Sequence, residues 1–174
     1  FDKLHFTYGQ FWQLHTAPDQ IRLATLLVAM KPLVVHMGLP CTEMNRIGKG
    51  ILSEQTIQQN RMCLCIARHQ WVNGMYCSVE QPVGSKFFEL DEVKAIFGTE
   101  KKPNVPWHFF RMDGCQLQNV NPASFWPQKK SQIFIANFDL SLMEHQCSKP
   151  YALVPCGHTH SQIRGKMKIG EHWV

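Results

Sequence analysis

The sequence predicts an α/β fold with a mostly parallel sheet and helices on both of its faces. Strand-like segments at residues 32–37 and 75–79 alternate with segments whose apolar residues have helical spacing. This order of helix, strand, helix and strand is typical of parallel sheets. A chain of 174 residues, of which 44% are hydrophobic, is also long and apolar enough for one domain with a substantial core.

The first helix and strand are bounded by local signals. Thr16 can cap a helix, and Asp19 favours the positive end of the helix dipole. We expect this helix to run to Met30, because Pro32 stops it. The β-branched run that follows predicts a buried strand at residues 32–37.

The rest of the chain continues this order. Ser53 can cap a second helix that ends at Asn73-Gly74. After the second strand, an amphipathic segment occupies residues 84–97. Residues 107–112 and 132–138 are predicted as third and fourth strands, with a loop that contains two prolines between them. The apolar face of the second helix contains Ile57, Leu64, Ala67 and Trp71.

The composition limits the classes of partner and compartment. A formal net charge of +5 permits contact with nucleic-acid phosphates without requiring it. No apolar run approaches the roughly 20 residues that cross a bilayer, so we expect no membrane partner. Seven scattered cysteines, an odd number, indicate reduced thiols in an intracellular compartment. The chain opens with Phe1 rather than methionine, which suggests an upstream segment, and no signal peptide is evident.

A thiol and a carboxyl group follow the first two predicted strands. The turn Gly38-Leu39-Pro40-Cys41 presents one thiol at the carboxyl end of a strand, where open α/β sheets keep their chemistry. Glu80 ends the next strand, so a parallel sheet would open both side chains on one edge. A base-modifying enzyme needs this pair, because sulfur adds to the ring while the acid stabilises the charge that develops. The alternatives are a buried, inert Cys41 and a solvated Glu80.

These residues resemble motifs of the DNA (cytosine-5) methyltransferases. Residues 38–41 are similar to the Gly-x-Pro-Cys motif, whose cysteine attacks carbon 6 of a flipped cytosine. Residues 79–82 look like the Glu-Asn-Val segment, and residues 127–135 resemble the Pro-Gln-x-Arg-x-Arg motif. The resemblance covers roughly residues 19–138 and implies a single partial domain, the catalytic half of a Rossmann-like methyltransferase. Residues 139–174 would form a basic extension that contains Cys and His.

The resemblance implies a role for each matching residue. Cys41 would be the nucleophile, and Glu80 would contact the edge of the extruded cytosine. Four further residues would bind substrate, Gln128 and Lys130 near the base or its backbone and Arg46 and Lys49 at phosphates.

The chain also departs from the family pattern. No Phe-x-Gly-x-Gly loop precedes Cys41, since Tyr8-Gly9-Gln10-Phe11 is not one. S-adenosylmethionine would therefore be bound largely outside this chain, and other subunits could complete the domain. Lys130 and Gln132 stand where the family has two arginines, and lysine lacks the planar bidentate geometry of arginine. Gln81-Pro82 replaces Asn-Val.

A second cluster of residues has the chemistry of a metal site. Cys-x-His-x-His with a further cysteine upstream supplies four ligands, the number that a closed zinc site uses. The four residues are Cys147, Cys156, His158 and His160. The alternative is a set of surface histidines near an exposed tail.

Three functions follow from these patterns. The first is a divergent cytosine-5 methyltransferase-like domain that acts on or binds nucleic acid, DNA or RNA. The second is a catalytically inactive domain of the same fold that serves as a structural or RNA-binding subunit of a larger assembly. The third is a small zinc-stabilised interaction module.

Overall fold

The structure, a computed structural model, describes residues 13–44, 52–114 and 130–144, together with the backbone of two short strands near the carboxyl terminus. The helices are α1 (Ala17–Met30), α2 (Glu54–Val72) and α3 (Asp91–Phe97), with 3-10 turns at Lys86–Glu89 and Ser141–Met143. The strands are β1 (Val34–Gly38), β2 (Tyr76–Pro82), β3 (Gly98–Thr99), β4 (Lys102–Pro103), β5 (His108–Asp113), β6 (Ser131–Ala136), β7 (Lys168–Ile169) and β8 (His172–Trp173).

The order of elements up to β2 agrees with the sequence prediction. α1 ends at Met30, as expected, although the Thr16 side chain makes no capping hydrogen bond. α2 begins after Ser53, whose hydroxyl accepts a hydrogen bond from the backbone N–H of Thr56 at 3.3 Å. The helix then ends at Asn73, and Gly74 has a positive φ of 69°. No helix in the described part of the chain has the length and apolar character needed to span a membrane.

The prediction of a mostly parallel sheet is wrong. The main sheet has the order β1-β2-β6-β5, in which β1 and β2 are parallel and β6 is antiparallel to both of its neighbours. A parallel neighbour needs a crossover connection, usually a helix. The sequence contains no helical pattern between the third and fourth predicted strands. β6 therefore pairs with β5 in the opposite direction, and the sheet is mixed.

The prediction of helices on both faces of the sheet is also wrong for the described residues. Val35, Met37, Cys77 and Val79 point to one face of the sheet, because side chains alternate along a strand. α1 and α2 pack on Val35 and Met37, whereas α2 and α3 join the core around Cys77 and Val79. All three helices thus cover the same face. The largest buried side chains of the core are Trp107, Phe87, Phe97, Met44 and Ile135.

The opposite face of the sheet is called the site face below. Its residues on β1 and β2 include His36, Gly38 and Glu80, which are exposed or half-buried. Toward β5, Met112 and Ala136 are buried on this face, whereas His108 at the start of β5 is exposed. The exposed residues of the site face thus include His36 and Gly38 of β1 and His108 of β5.

Candidate functional site

Parallel pairing of β1 and β2 brings the Cys41 turn and Glu80 to one edge of the sheet. Gly38, the last residue of β1, pairs directly with Glu80 of β2. A Cβ atom added to Gly38 would lie 3.3 Å from Oε2 of Glu80, so the carboxylate lies close over the glycine backbone. Cys41 follows three residues later and is half-buried. The two strands thus end at the same edge of the sheet.

The third motif reaches the same edge from β6. The antiparallel direction of β6 sets its second residue, Gln132, opposite Pro82 at the carboxyl end of β2. Nε2 of Gln132 donates a hydrogen bond to Oε1 of Glu80. Gln132, which departs from the family pattern, is therefore the hydrogen-bond partner of Glu80, the candidate acid. The correction of the sheet topology explains this contact, because a parallel fourth strand would begin at the opposite edge.

Buried side chains of β2 and the following turn hold the loop that contains Cys41. Gln81 is 1% exposed, and its Nε2 donates to the carbonyl oxygen of Leu39 at 3.0 Å. Its Oε1 accepts from the hydroxyl of Ser85, which is also buried, at 2.8 Å. The backbone N–H of Lys86 donates to the carbonyl oxygen of Met44 at 2.8 Å. The turn after β1 is therefore fixed on the side that faces β2.

The other side of the loop is attached to the start of α2. Oε2 of Glu43 accepts hydrogen bonds from the backbone N–H of Ser53 at 2.8 Å, from its hydroxyl at 2.9 Å and from the hydroxyl of Thr56 at 2.7 Å. These bonds, the one to the Ser53 backbone first, lower the pKa of Glu43. The N–H of Met44 donates to the carbonyl oxygen of Cys41 at 3.1 Å. Contacts on both sides make this a pre-organised turn.

Sequence reasoning missed the supporting role of Gln81 and Glu43. In the sequence, Gln81 is only a departure from a motif, and no pattern distinguishes Glu43. No local spacing rule identifies either contact, since Glu43 reaches residues 10 and 13 positions away. Gln132 had a usable signal, because it occupies the last motif position that the family fills with a basic residue.

The remaining predicted substrate and metal ligands are only partly described. Lys130 is exposed and immediately precedes β6. The other predicted residues, Arg46, Lys49, Gln128, Cys147, Cys156, His158 and His160, lie outside the described residues. Within the described ranges, no group of three or more His, Cys, Asp or Glu side chains could hold a metal ion.

Other cysteines near the sheet are protected rather than reactive. Cys63 of α2 and Cys77 of β2 are buried in the core. Burial raises the pKa of Cys77 to about 12 and holds the pKa of Cys63 well above its usual value. Since Cys63 and Cys77 are buried and Cys41 is half-buried, Cys41 is the better candidate nucleophile among these three thiols.

The described residues do not fit S-adenosylmethionine. β1 is an edge strand of the main sheet, and no described strand with a glycine-rich turn precedes it. A cavity of about 240 Å³ lies between α1 and α2, on the helical side of the sheet. Its lining offers no carboxylate for the ribose hydroxyls of the cofactor and consists of Ala24, Leu27, Val28, Met62, Cys65, Ile66 and His69.

Comparisons with known proteins find no relative of the chain. No protein-family model matches it, and neither the curated proteins nor the solved structures give a match. The likeness to cytosine-5 methyltransferases therefore remains a resemblance of three short motifs. Function is inferred below from the geometry of the chain itself.

Proposed function

We propose that this chain contains the thiol and the base-binding groups of a divergent cytosine-5 methyltransferase-like domain that acts on nucleic acid. The supporting observation is the hydrogen bond between Gln132 and Glu80, which joins residues 52 positions apart. This pair lies at the strand edge from which the Cys41 turn emerges. Three motifs that are distant in the sequence thus meet at one edge.

The chemistry proposed for this edge is reversible addition of sulfur to a cytosine ring. After the Cys41 thiol has lost its proton to water, its sulfur forms a bond to carbon 6. The C5=C6 electron pair then becomes a C4=C5 bond, and the C4=N3 pair moves to nitrogen 3. Nitrogen 3 takes a proton from the carboxyl group of Glu80. Carbon 5 becomes electron-rich and can accept a proton from the solvent.

Gln132 is a positioning residue that supports this role of Glu80. Its amide binds Oε1 of the carboxyl group, which leaves Oε2, the atom close to Gly38, for the ring nitrogen. A glycine at residue 38 leaves space beside Oε2 that a larger side chain would fill. A neutral amide is also compatible with both protonation states of the acid.

The methyl donor implied by the family is S-adenosylmethionine, and the described residues do not fit it. We therefore derive no methyl-transfer step. The proposal comprises nucleic-acid binding, base binding and thiol addition, and residues outside this chain would hold the donor in a complete assembly.

Exchange of hydrogen at carbon 5 of cytosine tests the proposal without any cofactor. In D₂O, Cys41 adds to the ring, carbon 5 takes a deuteron from the solvent, and water then removes the original hydrogen from carbon 5. Nitrogen 3 returns its proton to the Glu80 carboxylate as the sulfur leaves, which gives deuterated cytosine and restores the enzyme. We expect deuterium in a single-stranded cytosine oligonucleotide, detected by mass spectrometry. Cys41→Ser should abolish exchange, and Glu80→Gln should slow it by about 100-fold or more, the usual contribution of a general acid.

Cys65→Ser is the matched control, because Cys65 is an exposed cysteine of α2. Its exchange rate should equal that of the original protein. Equal exchange in Cys41→Ser would refute the assignment of the nucleophile. A folded protein that binds the oligonucleotide without exchange would favour the second candidate, a catalytically inactive nucleic-acid-binding subunit. The poor fit to S-adenosylmethionine is the observation that supports this candidate.

A further inference from the structure

Two aromatic pairs lie on the site face in line with Glu80. His36 of β1 and Phe134 of β6 meet across β2, with ring centroids 5.9 Å apart and planes inclined by 23°. Nδ1 of His36 is hydrogen-bonded to the hydroxyl of Ser78 at 2.9 Å, which fixes the imidazole ring. His36 is exposed and Phe134 is half-buried. The ring pair is therefore an ordered and accessible surface directly beside the Glu80 carboxylate.

The second pair continues the same line. Tyr76 of β2 is 42% exposed and contacts Phe138 edge to face, with ring centroids 5.5 Å apart. Tyr76, Ser78 and Glu80 point to one face of β2, so successive positions are about 7 Å apart along the strand. Glu80, the His36 pair and the Tyr76 pair thus form three successive positions. We call this row the platform.

Two exposed lysines lie close in the chain to the two ends of the platform. Lys130 immediately precedes β6 at the Glu80 end. Lys31 follows α1 and lies three residues before Val34, which pairs with Tyr76 at the other end. Both lysines are exposed, and neither has an ion-pair partner among the described residues. Together with a net charge of +5, they favour a polyanionic ligand.

We propose that a single strand of nucleic acid binds along the platform, with its target base at Glu80 and the next two bases on the two aromatic pairs. Lys130 and Lys31 would contact phosphates at its two ends. Aromatic rings on an open sheet stack on unpaired bases, whereas the bases of a duplex already stack on each other. The position of the target base rests on the proposed function, but the stacking surface depends only on the geometry of the platform.

Binding of defined oligonucleotides tests the platform. The first probe is a fluorescent single-stranded thymine octamer with one central cytosine. Two analogues of it have abasic residues in place of the two nucleotides next to the cytosine, one analogue on the 5′ side of the cytosine and the other on the 3′ side. The fourth probe is the duplex of the octamer. His36→Ala should weaken binding of the intact octamer about tenfold, since stacking contributes about 1–3 kcal/mol per base. It should not weaken binding of the analogue that lacks the stacked bases. The duplex should bind at least tenfold more weakly than the octamer.

Two further variants and a control separate stacking from folding and charge. Phe134→Leu keeps an apolar side chain and should also lose affinity, while circular dichroism shows a folded protein. Lys31→Ala should reduce the slope of log K against log salt by about 0.7, the value for one phosphate of a single strand. His69→Ala, on α2 at the helical side of the sheet, should change neither quantity.

Each outcome supports or overturns the platform. The platform would be overturned if His36→Ala and His69→Ala lost the same affinity for the octamer, or if both abasic analogues bound as tightly as the intact octamer. Tighter binding of the duplex than of the octamer would also overturn it. Failure of every oligonucleotide to bind would point to a protein ligand and would overturn it too. Normal binding to the platform with no carbon-5 exchange would refute the thiol chemistry alone. Exchange without any effect of His36→Ala on binding would refute the platform alone.

Discussion

Replacement of Gln81 by leucine should loosen the turn that holds Cys41. Leucine fills a similar volume but can neither donate to the carbonyl oxygen of Leu39 nor accept from the hydroxyl of Ser85. Both bonds are well formed, at 3.0 and 2.8 Å, and both Gln81 and Ser85 are almost completely buried. The hydroxyl of Ser85 would lose its acceptor in a buried position, and the carbonyl oxygen of the half-buried Leu39 would lose its donor.

The expected loss follows from these two contacts. A buried polar group left without a partner costs about 1–3 kcal/mol, so two of them should lower the free energy of unfolding by roughly 3 kcal/mol. With a urea slope of about 2 kcal/mol/M, the unfolding midpoint should fall by about 1.5 M. In a Ser85→Ala background the same substitution should cost about 1 kcal/mol less, because the hydroxyl is already absent.

Gln70→Leu is the matched control at the opposite end of the sheet. Gln70 is also fully buried and donates to the carbonyl oxygens of Pro32 and Tyr76 at 3.0 and 3.1 Å. Its own Oε1 has no hydrogen-bond partner among the residues that the structure describes, so leucine removes one unsatisfied atom and should cost less, about 1–2 kcal/mol. Carbon-5 exchange should fall in Gln81→Leu but not in Gln70→Leu. A smaller stability loss at Gln81 than at Gln70, or unchanged exchange, would refute the assigned support of the turn.

Two further predictions concern titratable groups. Hydrogen bonds from Ser53 lower the pKa of Glu43, so the contribution of Glu43 to stability is complete above the unfolded value of 4.5 and is lost as pH falls through the lower folded pKa. The free energy of unfolding, measured with urea between pH 6 and 3, should therefore fall less steeply with pH in Glu43→Gln than in the original protein. Identical pH profiles of the two proteins would contradict this. Burial raises the pKa values of Cys63 and Cys77. In the folded protein at pH 8, iodoacetamide should therefore label the exposed Cys65, and it should label Cys63 and Cys77 only after unfolding, as measured by peptide mass spectrometry. Rapid labelling of either buried thiol would show that the core is open.

Local sequence signals predicted the elements near the site, but not their directions. The caps and apolar spacing of α1 and α2 depend on neighbours within one or two helical turns, and the structure has both helices at the expected positions. Strand boundaries moved by one to three residues, since pairing partners rather than propensity define where a strand ends. The predicted direction of β6 is wrong, because strand signals contain no information on direction.

The sequence alone determined which residues could perform chemistry at one edge of the sheet. A thiol after β1 and a carboxyl group near the end of β2 follow from strand order, because parallel neighbours end at the same edge. Only the tertiary structure decided that Gln132 completes this edge, that Gln81 and Glu43 hold its turn, and that His36 and Phe134 stack beside it. These contacts join residues 10 to 98 positions apart, and such pairs form only when the sheet fixes register and direction, which local patterns do not contain.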